Sequence, residues 1–119
     1  MAQQSFEEQV RSNLPKVGAR PEFVGARLWL TFYLSGAPES LQQLSVTLDA
    51  RGWVNVQGGE GGFLYPKLQV EKSVAAIVDA ANVTQDLCAP LGVEIALIDA
   101  DTSSDVTKTR FEILYRGPI

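Results

Sequence analysis

The chain has 119 residues, 45% of them hydrophobic and 20% charged, which suits one globular domain and is too short for two. Ten basic against fourteen acidic residues leave a net charge of -4, a balance that repels nucleic-acid phosphates and suits a basic protein partner. With no histidine and one cysteine, Cys88, the composition excludes Ser-His-Asp and Cys-His catalysis, a disulfide framework and a multi-cysteine zinc site.

The opening residues MAQQSFEEQV lack the basic and then apolar regions of a secretory leader. No stretch approaches the roughly 18 to 20 apolar residues of a membrane span, so a cytoplasmic protein off the membrane is expected. Ser5 followed by Glu8 forms a capping-box pattern, and Phe6, Val10 and Leu14 share one stripe; together they predict a helix over 5–14 that Pro15 stops. From Ala26 the period changes to two. Leu28, Leu30, Phe32 and Leu34 alternate with Arg27, Trp29, Thr31 and Tyr33, which predicts a strand. Pro38 then opens, and Gly52 closes, a helix with Leu41, Leu44 and Leu48 on one face.

The segments WVNVQ and FLYPKLQVEK alternate again and predict a β-hairpin around a glycine-rich tip, with Pro66 at a bulge or beside an unpaired stretch. A phosphate-cradling glycine loop would open a helix and carry a following Gly-Lys-Ser/Thr. Here the glycines lead into a strand and Glu60 would repel an anion, so the segment reads as a turn. Ser73 is placed to cap a helix bearing Ile77, Ala80, Ala81, Thr84, Leu87, Cys88 and Leu91, where Cys88 acts as a small hydrophobe. VEIALIDA is the next strand, DTSSDVTK a polar loop, and TRFEILYR a candidate fifth strand over 109–116. Asp99, Asp101 and Asp105 alternate in a calcium-like way. Ser104 and Arg110, however, stand where a calcium loop needs glycine and glutamate, so an acidic solvated loop is expected, with no metal and no cofactor.

The expected whole is one α+β domain over 1–119: a ferredoxin-like β-α-β-β-α-β sandwich over 26–100, with an antiparallel sheet and two helices on one face. The N-terminal helix precedes this core, and a C-terminal extension, 101–119, follows it. If Leu28, Leu30, Phe32, Val54, Val56, Leu64, Leu68 and Val70 face the helices, alternation turns Arg27, Trp29, Tyr33, Trp53, Tyr65 and Lys67 to the opposite face. Large aromatics bury about 150–250 Å² each, so together they exceed the patch of about 300–600 Å² that a soluble monomer leaves bare. Three covers fit: the chain's own N-terminal helix or its tail residues Phe111, Ile113 and Tyr115; a protein interface, with a foreign partner or a second copy; or stacked bases of single-stranded RNA. The acidic balance and the lack of an aromatic RNA-binding consensus disfavour the last.

The lead-in LPKVGARPEFVGARLWLTFYL, the run LDARGWVNV and LCAPLGVEIALIDADTS, with the element order and the acidic balance, resemble the RraB-type domain, the protein regulators of ribonuclease E activity. The resemblance spans roughly Leu14 to Asp105. It implies a small acidic protein without chemistry of its own that binds ribonuclease E and restrains RNA cleavage, and it assigns no individual residue. The chain departs from the family in carrying IALIDADTS where a YDGW-like stretch is common, and in its further segment to Ile119. The function expected is thus a non-catalytic protein-binding regulator. The alternatives are a dimeric ferredoxin-like domain that binds a small ligand or acts as a monooxygenase, and a toxin-neutralising immunity protein.

Overall fold

A computed structural model of the chain describes residues 6–23, 25–104 and 111–117. Within them the order is α1 (Phe6–Gly18), β1 (Arg27–Ser35), α2 (Pro38–Ala50), β2 (Phe63–Leu64), β3 (Lys67–Glu71), α3 (Val74–Cys88), a 3-10 turn (Ala89–Leu91), β4 (Glu94–Asp101) and β5 (Phe111–Arg116). The result is an α+β domain of three helices and a five-stranded antiparallel sheet. β1 runs through its middle, with β2 and β3 on one side and β4 then β5 on the other. The candidate tail strand is therefore present, while its first residues, Thr109 and Arg110, and the Asp105 of the alternating acids lie outside the described residues.

β2 and β3 hold one register against β1, from Ser35↔Phe63 through to Arg27↔Glu71. What separates them is Pro66, which has no N–H for the ladder, although its carbonyl still accepts from Phe32 at 3.0 Å. The expected hairpin partner is shorter than the sequence suggests. Of WVNVQ, Val54 alone pairs, through two hydrogen bonds with Lys67 at 2.9 and 3.0 Å. Asn55 then turns to a φ of 56°, its amide donating to the Tyr65 carbonyl at 2.8 Å, and this left-handed step ends the strand. The glycine segment is a turn: Gly62 N–H returns to the Gly59 carbonyl, and Gly59, at φ 98°, lies where an added Cβ would sit 3.1 Å from that of Leu41.

The core lies between the helices and one sheet face. It joins Val10 and Val17 of α1, Leu41, Leu44 and Leu48 of α2, and Ile77, Ala81 and Cys88 of α3 to Leu28, Leu30, Phe32, Leu34, Ile98 and Leu114. Burial alone pushes the Cys88 thiol up to about 11, so it packs as the small hydrophobe expected. The N-terminal helix departs from expectation at its end. It continues through Pro15 to Gly18, because Val17 gains full burial and the lost N–H bond falls at one position only. Ser5, the expected cap, lies outside the described residues.

α1 packs on α3 and β5 rather than across the far face of the sheet. Phe6 meets Tyr115, whose register partner Ile98 is in the core, at 4.6 Å between ring centroids. Its polar side also closes the sheet edge. The Gln9 amide both donates to the Arg116 carbonyl and accepts from the Arg116 N–H, and Asn13 donates to the Leu114 carbonyl, so β5 presents fewer open groups to a foreign strand.

Ser73 caps α3 as its position implies, its hydroxyl accepting from the Ala76 N–H at 3.1 Å. Ser73→Ala is expected to lower stability by about 1 kcal/mol in urea unfolding, with an unchanged denaturant slope.

Candidate functional site

Residues paired across antiparallel strands share a face, so the register draws the sheet surface opposite the helices row by row. Phe63, Ser35 and Glu94 form one row; Tyr33 with Leu97, joined by Tyr65, the next; Lys67, Thr31, Asp99 and Ile113 the third; Gln69, Trp29 and Asp101 the fourth; Glu71 and Arg27 the last. Five of the six expected site residues thus lie on this face. Trp53 does not. Val54, not Trp53, is the register partner of Lys67, which turns the Trp53 ring to the core, where it meets Phe32 edge-on at 5.2 Å. The left-handed Asn55 breaks the alternation again, so Val56 is buried too, while Val54 is exposed.

The five divide into two environments. Tyr33, Tyr65 and Phe63 form a contiguous aromatic run: Tyr33 meets Tyr65 edge-on at 5.2 Å, and Tyr65 stacks on Phe63 at 6.5 Å with the planes 4° apart. Phe63 is 50% and Tyr65 43% exposed, and the exposed carboxylates Glu60 and Glu94 lie near that end of the sheet in sequence and register. Trp29 is half-buried further along, and Arg27 is exposed at the far end of β1.

Lys67, expected at the surface, is 1% exposed. Its ammonium donates to Asp101 Oδ2 and to Thr31 Oγ1, both at 2.6 Å, and approaches the Ser103 carbonyl at 3.4 Å. The Thr31 hydroxyl in turn donates to Asp101 Oδ2. Asp99, within the expected strand, and Asp101, expected to open a solvated loop, both lie at the end of β4 and are buried on this same face. The two are spaced two apart in a strand, which is the sequence signal for a shared face; that their face is the one bearing Lys67 depends on long-range pairing.

Asp99 is the unusual member. Burial raises its pKa from the ordinary 3.8 to about 6, assisted by Asp101, while a hydrogen bond from Tyr33 and the charges of Lys67 and Arg116 pull the other way. Among the described residues its Oδ1 has no hydrogen-bond partner. The Tyr33 hydroxyl has its pKa raised by burial first, then by its hydrogen bond to Asp99 and the charges of Asp99 and Asp101. Among the described residues no group of three or more histidines, cysteines or acids is placed to hold a metal ion, and no helix is long and apolar enough to cross a membrane.

Comparison of the chain with protein-family models, curated proteins and solved structures finds no match.

Proposed function

We propose that the chain is a non-catalytic, protein-binding regulator that docks its partner on the aromatic run Tyr33, Tyr65 and Phe63, and that it is a ferredoxin-like domain of the RraB type acting in the cytoplasm on ribonuclease E. The observation that carries the reading is the exposed pair Phe63 and Tyr65, stacked on each other, with Tyr65 packed edge-on against Tyr33. Aromatic side chains anchored this way are the residue types that dominate protein-binding hot spots. The strand order supports the fold reading: with Val54 counted as a worn edge strand beyond β3, the sheet runs as a ferredoxin-like one does, and β5 is an addition beside β4. The fixing of Lys67 by Asp101 and Thr31 supports the absence of lysine chemistry, since its ammonium is held in place rather than presented to a substrate.

The test is a pull-down from native lysate with wild-type protein beside a Phe63→Ala/Tyr65→Ala variant, followed by a ribonuclease E cleavage assay. The wild type is expected to retain the enzyme and slow cleavage, and the variant to bind at least about tenfold more weakly, the loss of about 1.4 kcal/mol or more typical of a hot-spot pair. An unchanged cleavage rate at saturating wild-type protein removes ribonuclease E as the partner. Equal retention of partners by the two baits removes the aromatic site.

A further inference from the structure

The buried groups on the sheet face do not balance in charge. Among the described residues, two carboxylates, Asp99 and Asp101, are buried with one cation, Lys67, and the Lys67 ammonium is fixed on Asp101 by its 2.6 Å contact. Arg116, exposed on β5, acts on Asp99 through space only. Asp99 is therefore left with an oxygen that accepts no hydrogen bond from the described residues, although the residue is 2% exposed. An ionised carboxylate in that position is costly unless a donor arrives from outside. The surroundings say where from: Tyr33 and Asp99 lie in neighbouring rows of the same sheet face, Tyr33 packs on Tyr65, and Tyr65 stacks on Phe63, so a continuous run of rings extends from beside the orphan oxygen to the exposed surface.

We propose that Asp99 is the anchor for an arginine side chain of the partner protein, inserted along Tyr33 and Tyr65 so that its guanidinium stacks on a tyrosine ring and donates to Asp99 Oδ1. This rests on the protein-binding reading given above and names the chemistry the partner must bring. A carboxylate at the end of an aromatic path selects a cation over a neutral donor, because the ring faces and the uncompensated charge both attract it. Arginine fits better than lysine, since a planar guanidinium can stack and donate at once. A phosphate-bearing partner is disfavoured by the same charge, with exposed Glu94 two rows along the face adding to it.

The test uses the full chain with its aspartate carboxyl carbons and tyrosine rings isotopically labelled. The peptides acetyl-Gly-Arg-Gly-amide and acetyl-Gly-citrulline-Gly-amide, the latter a neutral isostere, are titrated against it by NMR. The arginine peptide is expected to move the Asp99 carboxyl and Tyr33 ring signals saturably, to lower the Asp99 titration midpoint by about one unit or more, and to bind at least about tenfold more tightly than the citrulline peptide. Asp99→Asn is expected to erase that preference, and Tyr65→Ala, at an exposed position, to weaken the arginine peptide while leaving the fold intact. Equal shifts from the two peptides, no movement of Asp99, or an undiminished preference in Asp99→Asn overturns the proposal. So does an octa-uridine probe that moves the tyrosine rings where the arginine peptide does not. Failure of the pull-down with a saturating arginine peptide would leave the cation site and remove the regulator reading. A pull-down in which Asp99→Asn retains the same partner as strongly as wild type would do the reverse.

Discussion

Lys67→Met is expected to destabilise the domain by about 3–5 kcal/mol, a large part of the roughly 5–15 kcal/mol that holds a domain of this kind together. The methionine fills much the same volume, so the loss is electrostatic rather than a cavity. Removing the ammonium takes away a donor to Asp101 Oδ2 and Thr31 Oγ1 and leaves Asp99 and Asp101 buried on one face with no cation among the described buried groups. Asp101→Asn should cost less, because Lys67 then remains buried with Asp99 and the charges still balance. The order of the two variants is the informative result, read from urea unfolding at pH 7 with the slope checked for constancy. If Lys67→Met shifts stability by less than about 1 kcal/mol, the ion pair is solvated as surface pairs are, and the buried cluster does not carry the weight assigned to it.

That cluster also marks where sequence reading ends. The alternation in RLWLTFYLS was enough to separate Leu28, Leu30, Phe32 and Leu34 from Trp29, Thr31 and Tyr33, because strand periodicity is local. The ends of α2 and the cap of α3 were legible for the same reason: Pro38, Gly52 and Ser73 act on their immediate neighbours. Trp53 departs from the local alternation because its face depends on which residue pairs with Lys67, thirteen positions away from Val54, and on one left-handed residue at Asn55. Lys67 reads as a surface residue in any local view, since burial of a lysine depends on an acid supplied by a distant strand. Asp101 is 34 residues on, and nothing in KLQVE or DADTS announces the other. The helix running past Pro15 has the same origin, as the burial that favours it belongs to the core and not to α1.

Asp99→Asn should make the protein more stable at neutral pH, by about 1–3 kcal/mol, and should do so only above the range where the native carboxyl is protonated. The folded pKa is about 6 and the ordinary value 3.8, so between these values the folded state keeps a proton that the unfolded chain has released. Stability is favoured by acid wherever the folded state binds more protons, so the wild type loses stability as pH rises from about 4 to 6. Below that window both states are protonated and Asp99 contributes nothing. Above it both are ionised and the full penalty stands, about 3 kcal/mol at 1.36 kcal/mol per unit, with asparagine recovering part of it because its amide brings donors of its own to satisfy. Urea unfolding across pH 4 to 7.5 should therefore show the two curves diverging as pH rises, whereas parallel curves would mean that Asp99 is paired or hydrated and is not an orphan. A residue whose removal strengthens the fold at working pH is one the fold itself does not require. An incoming guanidinium would offset the penalty that burial places on Asp99, so the proposed affinity for a cation and the expected instability of the free protein would have one source, the orphan Oδ1 beside Tyr33. The stabilised Asp99→Asn variant is then expected to be the one that binds the arginine peptide least.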